Sequence, residues 1–190
     1  MKTTISRQEA IQLLSNEDLG RLPIEERESI LLDWWPLDEA DNEYILLPKD
    51  LQNELKSNDC FNDPSIAKYN PLLLIALQHK YQGVKNGYLL ERLKMMGVFV
   101  NAIKGDSENL YNCPCCGYQT LETRGDFLVC PVCFWEDDGN DDPNHYSHPN
   151  HLCLGESQKN FLEFGACSSS SVILVDKEGP RKYVRELCHG

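Results

Sequence analysis

The chain has 190 residues, of which 41% are apolar and 25% are charged; this balance is typical of a globular protein with a buried core and excludes a disordered or collagen-like chain. Eighteen basic and thirty acidic side chains give a net charge of −12 at pH 7, and so few basic residues argue against a protein that binds nucleic acid through its phosphates. The sequence contains no run of about 18 apolar residues and no apolar signal-peptide core after its N-terminus, so we expect no membrane segment and a cytoplasmic location.

The first half of the chain is predicted to be helical. Ser6 and Glu9 match a capping box, in which each side chain accepts a hydrogen bond from an unpaired backbone N–H at the start of a helix. A second helix is predicted from Pro23 to Pro36, because apolar residues recur along it at helical spacing and proline cannot continue a helix. A third helix is predicted to begin at Pro48.

Two further helices complete this predicted domain, which extends over residues 1–97. Asn70 followed by Pro71 is typical of a helix start, and the run of apolar residues at 72–77 indicates a helix that is buried on most sides. The last helix is predicted to end at Gly97, because glycine can close a helix in the left-handed conformation.

The second predicted domain extends over residues 98–190 and begins with a short strand at 98–100. Its C-terminal part is predicted to contain a helix over 154–164 and a strand at 172–175, which follows an exposed serine-rich connector at 168–171. We therefore expect an α+β protein in which a helical domain precedes a smaller domain with a short C-terminal helix and strand.

Two C-x-x-C pairs are the strongest chemical signal in the sequence. They are Cys113 with Cys116 and Cys130 with Cys133. Each pair forms a tight turn that directs two thiolates to one side, and a hairpin brings both turns around one tetrahedral zinc ion. Gly117 follows the first pair, where a backbone with positive φ is expected. Because four thiolates fill the coordination shell, we predict one structural Zn²⁺ in a zinc-ribbon domain; the alternative is two unrelated pairs of reduced thiols.

Cys115 lies between the first two predicted ligands and leaves three interpretations open. It is a reactive thiol made acidic by the zinc ion and the turn amides, or it replaces a neighbouring cysteine as a ligand, or it is a spare thiol folded inward. The first interpretation would make the chain a thiol-dependent enzyme or a redox sensor. No nucleophile with its base and no phosphate-binding loop is recognisable in the sequence, so we expect no enzymatic activity.

A second metal site is one interpretation of a histidine-rich segment further along the chain. His145, His148 and His151 recur every three residues, and Cys153 follows them. Imidazole and thiolate groups together can bind a transition metal. Prolines in the segment indicate a loop, so helical spacing cannot be assumed, and the alternative is a solvated loop.

The segment that contains the cysteine pairs and the first two histidines is strongly acidic. Residues 113–150 carry one basic and seven acidic side chains, a net charge of −6. Such a segment is either a solvated loop or a surface that faces a basic partner. The candidate contact residues are Glu136, Asp137, Asp138, Asp141 and Asp142, together with Asp38, Glu39 and Asp41 in the helical domain. The candidate aromatic anchors for a partner are Trp34, Trp35, Phe134 and Trp135, although for Trp34 and Trp35 a place in the core is the favoured interpretation.

The cysteine-rich part of the sequence resembles a known family. Over residues 111–167 it is similar to the cysteine-rich CPCC family, in the segments Cys-Pro-Cys-Cys-Gly-Tyr, Val-Cys-Pro-Val-Cys-Phe-Trp-Glu-Asp-Asp-Gly, Pro-Asn-His-Leu and Asn-Phe-Leu-Glu-Phe-Gly. The resemblance implies a bacterial, zinc-ribbon-like module without an established reaction, which in some members lies beside genes for secreted toxins. The helical part looks like an extension found in some members. Cys153 and the histidine-rich loop are not carried over as family features.

Three functions are compatible with these observations. The first is an immunity protein that neutralises a bacterial toxin by stoichiometric binding, because an acidic surface can steer association and cover a basic catalytic cleft. The second is a zinc ribbon that binds nucleic acid or assists transcription, against which the acidic charge argues. The third is a thiol enzyme or redox sensor that uses Cys115. We predict the first function, with a toxin domain as the partner and with no membrane or nucleic-acid partner.

Overall fold

The computed structural model describes residues 4–186. The chain divides into two compact units: the helical unit, Met1–Gln82 with Leu89–Gly105, and the cysteine-rich unit, Gly83–Tyr88 with Asp106–Gly190. The described residues form seven α-helices and three two-stranded sheets, which confirms the predicted α+β class. No helix among them is both long enough and apolar enough to cross a membrane.

Five helices lie wholly or partly in the helical unit, and local signals in the sequence mark where they start. The side chain of Ser6 accepts a hydrogen bond from the backbone N–H of Glu9 at 3.1 Å, as the capping box predicts. Pro23 and Pro48 directly precede the second and third helices. The helices are α1 Arg7–Arg21, α2 Ile24–Trp34, α3 Lys49–Ser57, α4 Asn70–His79 and α5 Asn86–Met95.

The interior of the helical unit is a cluster of apolar side chains. The predicted buried run at 72–77 contributes four of them, and Leu72 and Leu73 are fully buried. Removal of this apolar surface from water is the main stabilising contribution for such a unit. The cluster consists of Ile30, Leu31, Trp35, Tyr44, Leu47, Leu51, Tyr69, Leu72, Leu73, Ala76 and Leu77.

The chain leaves α5 through a Schellman motif, and the strand predicted at 98–100 does not form. Gly97 has a φ of +81°, as predicted for the residue that closes the helix, and the N–H of Val98 donates to the carbonyl of Leu93 at 2.9 Å. Because the amide of Val98 closes the helix, it is not available to a strand. The strands of this unit are β1 Thr4–Ser6 and β2 Ala102–Lys104, which pair in parallel.

Beyond β2, the regular structure of the chain lies in the cysteine-rich unit and consists mainly of short strands and two helices. The helix predicted over 154–164 is present with those bounds, and Gly165 closes it with a φ of +78°. The elements are β3 Tyr111–Asn112, β4 Gln119–Leu121, β5 Tyr146–Ser147, β6 Leu152–Cys153, α6 Leu154–Phe164 and α7 Gly179–Lys182. β3 pairs with β4 and β5 with β6, both antiparallel.

A 3₁₀ helix, Ser169–Ile173, replaces the serine-rich connector and the beginning of the strand predicted at 172–175. The hydroxyl oxygens of Ser168 and Ser171 lie 2.7 Å apart, and the N–H of Ser171 donates to the carbonyl of Ser168 at 3.1 Å. These local hydrogen bonds compete with strand pairing. The strand prediction was therefore wrong, and Ile173 is 87% exposed instead of buried.

Candidate metal centre

The first cysteine pair forms a tight turn, or knuckle, between β3 and β4. The N–H of Cys113 donates to the carbonyl of Tyr118, and the N–H of Gly117 donates to the carbonyl of Cys113, both at 2.8 Å. Gly117 has a φ of +75°, and a Cβ at this position would lie 2.9 Å from the carbonyl oxygen of Glu186. Both the backbone conformation and the close approach therefore require glycine, which confirms the predicted positive φ.

The second cysteine pair forms a knuckle with the same hydrogen bonds. The N–H of Cys130 donates to the carbonyl of Trp135, and the N–H of Phe134 donates to the carbonyl of Cys130, both at 2.8 Å. Phe134 stands where the first knuckle has glycine, and it adopts a φ of +65°. This left-handed conformation costs a residue with a Cβ about 1–2 kcal/mol. Cys167 supports the turn, because its N–H donates to the carbonyl of Cys133 at 2.7 Å and its thiol to that of Phe134 at 3.2 Å.

The two knuckles bring four buried thiols together. The sulfur atoms of Cys113, Cys116, Cys130 and Cys133 all lie within 4.8 Å of one another, and none of the four residues is more than 2% exposed. The Cys113–Cys133 and Cys116–Cys130 sulfur separations are both 3.6 Å. Four sulfurs bound tetrahedrally at about 2.3 Å from zinc lie about 3.8 Å apart, whereas a disulfide bond is about 2.05 Å long. The cluster therefore fits one tetrahedral metal ion and not a pair of disulfides.

The electrostatics of the four thiols link metal binding to proton release. Burial raises the pKa of Cys113 and Cys133 well above the ordinary value for cysteine. Burial acts in the same direction on Cys130, but hydrogen bonds from the other three thiols and from Thr120 outweigh it and lower its pKa. Without a metal ion the cluster therefore retains protons on most of its sulfurs. A bound ion must displace these protons, so that affinity for the metal falls as the pH falls.

Groups outside the four cysteines hold the knuckles in place. The hydroxyl of Thr120 donates to the sulfur of Cys130 at 3.1 Å. The side chain of Gln158 donates to the carbonyl of Pro114 at 2.9 Å, and that of Arg185 to the carbonyl of Cys116 at 2.9 Å. Such outer partners orient the ligands and increase the affinity for the metal. These residues could not be identified from the sequence, because each is distant from its partner along the chain and no spacing pattern marks such contacts.

The segment 184–186 extends the β3–β4 hairpin around the first knuckle. Its backbone pairs with β4, because the N–H of Gln119 donates to the carbonyl of Val184 at 2.9 Å. The guanidinium carbon of Arg185 lies 5.4 Å from the ring centroid of Tyr118 and 5.3 Å from that of Phe161. These cation–π contacts and the hydrogen bond to Cys116 make Arg185 a structural clamp on this knuckle.

A family model matches the part of the chain that contains both knuckles. Residues 111–181 match the family described as Cysteine-rich CPCC, and all four clustered cysteines lie within the match. We call residues 111–181 the CPCC segment. It extends beyond residues 111–167, which resemble the family in sequence, and the match does not include α1 to α5. No curated protein and no solved structure matches the chain.

Cys115, the additional cysteine of the first knuckle, is folded inward. The residue is 6% exposed and does not belong to the group of four sulfurs. Reactive cysteines are partly exposed as well as electrostatically activated. The burial of Cys115 therefore disfavours a reactive thiol, and its position outside the group of four sulfurs disfavours the replacement of a neighbouring ligand, which leaves a spare thiol folded inward.

The histidine-rich loop of the CPCC segment does not form a second metal cluster. His145 contacts the carboxylate of Asp138 at 3.2 Å, and His148 packs edge-on against Tyr146. His151 is exposed, with a φ of +54°. Among residues 4–186, the four cysteines of the knuckles are the only group of potential ligands close enough to share an ion, so His145, His148, His151 and Cys153 do not add a second such group.

Only part of the acidic run at 136–142 is exposed to solvent, so some of the predicted contact residues cannot contact a partner. Asp137 is completely buried, and one of its carboxylate oxygens accepts hydrogen bonds from the side chain of Arg124 at 2.9 Å and from the N–H of Gly125 at 2.8 Å. Asp138 has a side chain only 10% exposed, whereas Asp141 and Asp142 are exposed. Glu136 is half-buried, and Asp38, Glu39 and Asp41 of the helical unit are exposed.

The tryptophans are also more buried than the predicted role as anchors requires. Trp135 is completely buried, and Trp35 is 6% exposed, with its indole N–H donating to the carbonyl of Asn58 at 2.9 Å. Trp34 is half-buried and packs edge-on against His79. Phe134 is half-buried in the second knuckle. Trp35 and Trp135 are core residues, which confirms the core interpretation of Trp35 and rules out both residues as anchors, because a fully packed tryptophan cannot contact a partner.

Proposed function

We propose that the chain is a non-catalytic binding protein of the cytoplasm, whose CPCC segment holds one structural Zn²⁺. Zinc is the natural occupant of four thiolates in tetrahedral geometry, because it prefers four ligands and binds sulfur readily. The observation that carries the proposal is the closed, buried set of Cys113, Cys116, Cys130 and Cys133. Four protein ligands leave no coordination position for a catalytic water.

We propose further that the partner is a toxin enzyme, which this chain neutralises by stoichiometric binding. Support comes from the net charge of −12, which favours association with a basic catalytic cleft. The family resemblance described above points in the same direction. Exposed acids are present in both units, with Asp141 and Asp142 in the CPCC segment and Asp38 and Asp41 in the helical unit.

The acidic loop of the CPCC segment is held in shape by its own side chains. The N–H of Asn140 donates to Asp138 at 3.3 Å, the N–H of Asp142 to Asn140 at 2.9 Å, and the N–H of Asn144 to Asp142 at 2.9 Å. Asp141 is fixed by an ion pair of 2.7 Å with Arg124. A preformed acidic loop loses little conformational entropy when it binds, so we assign it a part in the contact.

Co-expression with a toxin domain encoded next to the gene for this chain tests the proposal. The wild-type chain is expected to protect the host cell and to form a complex that contains equal numbers of both proteins. A host that dies despite abundant, folded wild-type chain would contradict the immunity function.

A charge-neutral variant tests the contribution of the acidic loop. Asp141→Asn with Asp142→Asn removes two charges but keeps the side-chain oxygens that accept from Arg124 and Asn144. We expect a several-fold slower association at low salt and a weaker dependence on salt, because rim charges act mainly on the association rate. Asp137 is unsuitable for this test, because it is buried and its replacement would disturb the loop itself.

A further inference from the structure

A groove on the helical unit has the features of a docking site. It encloses about 340 Å³ and lies beside the C-terminal ends of α2 and α3. Its apolar lining consists of Leu32, Trp35, Pro36, Leu37 and Leu55. Leu32 is 54% exposed although it belongs to this concave surface. Apolar side chains that a folded unit leaves exposed around a concavity are typical of interaction sites.

Acidic groups surround the groove. Asp38 and Asp59 belong to its lining, and among the described residues that line it Lys56 is the only cation. Lys56 is paired with Glu39 and therefore contributes little positive potential. Residues 33–59 carry eight acidic and two basic side chains, a net charge of −6. The groove thus combines an apolar floor with a negative rim.

A rigid turn beside the groove adds to the apolar surface. The Nζ atom of Lys56 lies 5.7 Å from the ring centroid of Tyr44, and the next two residues, Ile45 and Leu46, are 74% and 69% exposed. The hydroxyl of Tyr44 donates to the backbone carbonyl of Gln52 at 2.9 Å, and the side chain of Gln52 donates to the carbonyl of Tyr44 at 3.0 Å. These reciprocal hydrogen bonds fix the turn, so its apolar side chains are already positioned for contact.

We infer that this groove docks a protein segment in which a large apolar side chain is flanked by lysine or arginine residues. The apolar side chain packs against Leu32 and Leu55, and the flanking cations face Asp38 and Asp59. A second copy of this chain fits less well, because two such surfaces would bring acidic groups together. The inference rests on the proposed function and deepens it, since it specifies the chemistry of the partner's segment and places that contact outside the CPCC segment.

Alkylation of Cys60 measures occupancy of the groove directly. Cys60 is exposed and belongs to the groove lining, whereas Cys153, in the cysteine-rich unit, is half-buried and serves as an internal control. The full, metal-loaded chain is treated with iodoacetamide in the presence of the peptide Lys-Arg-Phe-Leu-Arg-Lys, and both alkylation rates are followed by mass spectrometry. We expect the Cys60 rate to fall roughly fivefold or more at saturation, with no change at Cys153. The same peptide with glutamate in place of each cation is expected to give no protection.

A pair of matched variants assigns the effect to the groove. Leu32 and Leu174 are 54% and 55% exposed, so Leu32→Asp and Leu174→Asp introduce the same change at equally exposed leucines of the two units. Leu32→Asp is expected to abolish the protection of Cys60, and Leu174→Asp to preserve it. Asp59→Asn is expected to weaken the protection, because it removes a charge from the rim.

Four results would overturn the inference. Three of them are equal protection by the basic and acidic peptides, protection that persists in Leu32→Asp, and a Cys60 rate that depends on protein concentration without peptide, which would indicate a second copy in the groove. The fourth is the absence of any protection, in which case toxin neutralisation in the co-expression test would still support the proposed function. Conversely, selective peptide binding by a chain that fails to neutralise the toxin would contradict the proposed function but would still support the inferred docking site.

Discussion

The helical unit has a cluster of eleven buried residues of apolar type and five helices that extend for nine or more residues each. In the cysteine-rich unit the strands span only two or three residues, and six of its buried residues are cysteines. Strands this short contribute few cross-strand contacts and are marginal without further support. The comparison indicates that apolar burial stabilises the first unit, whereas the second would depend on the metal ion that we propose for its four clustered cysteines.

The two knuckles show what the proposed metal ion would have to stabilise. They have the same backbone hydrogen bonds, but the first is closed by Gly117 and the second by Phe134 with a positive φ. A strained turn persists only when the surrounding structure holds it in place. In the second knuckle that support comes from the metal ligands and from Cys167, which bonds to two carbonyls of the turn.

The largest expected effect is the loss of one ligand. Cys130→Ser should abolish tight metal binding and unfold the cysteine-rich unit, because structural zinc sites contribute about 10–16 kcal/mol to folding. The helical unit should keep its helical circular dichroism. Cys60→Ser, at an exposed cysteine, is the control that should change neither. Retention of a cooperative fold in the cysteine-rich unit of Cys130→Ser would show that this unit, like the helical unit, does not need a metal ion to fold.

A cavity created in the helical unit should have the opposite effect to the loss of a metal ligand, because it weakens that unit and leaves the cysteine cluster unchanged. Leu73 is completely buried in the apolar cluster, so Leu73→Ala should lower the free energy of unfolding of the helical unit by about 2–5 kcal/mol. The metal content of the protein should stay unchanged. Urea unfolding followed by circular dichroism, together with elemental analysis, measures both quantities. Loss of metal from this variant would show that the two units are not energetically separate.

Alkaline pH should selectively weaken the cysteine-rich unit. Burial, followed by the nearby carboxylate of Asp176, raises the pKa of Tyr183 to about 12. The folded state therefore favours the neutral phenol, so its contribution to stability is complete below about pH 10 and is lost as the pH rises through the folded-state pKa. The loss amounts to about 2–3 kcal/mol. Tyr183→Phe should not show this alkaline loss in urea unfolding, and an identical pH profile for both proteins would contradict the assignment.

The smallest expected effect concerns the hydroxyl that contacts a ligand. Thr120→Val removes the hydrogen bond to the sulfur of Cys130 and should weaken metal binding about tenfold. Competition with a chelator of known affinity measures this change. Thr123 is exposed, and Thr123→Val provides the matched control, for which we expect no change. Equal affinities in the two variants would exclude a role of the Thr120 hydroxyl.

Sequence signals predicted the features that depend on neighbouring residues. Ser6, Pro48 and Gly97 mark helix ends through their own backbone and capping chemistry, and the C-x-x-C spacing identified the residues of the metal cluster. In each case the physical cause lies within a few residues of the signal.

Features that depend on distant contacts could not be predicted in this way. Asp137 belongs to an acidic run that looks like a solvated loop, but it is buried, paired with Arg124 and hydrogen-bonded by the N–H of Gly125. The apolar run after Ser171 looks like a strand, yet its first two residues belong to a 3₁₀ helix whose start is held by hydrogen bonds between Ser168 and Ser171. The periodicity of a sequence does not reveal which polar groups find partners far along the chain.

Hydrogen exchange of the wild-type chain before and after removal of the metal tests the central claim most directly. We predict that chelation makes the amides of the CPCC segment, residues 111–181, exchange rapidly, while those of α1 to α4 keep their protection. Restoring zinc should restore the protection with one ion bound per chain. If the CPCC segment of a fully metal-free protein remains as protected as before, the cluster is not a structural metal centre and the account is wrong.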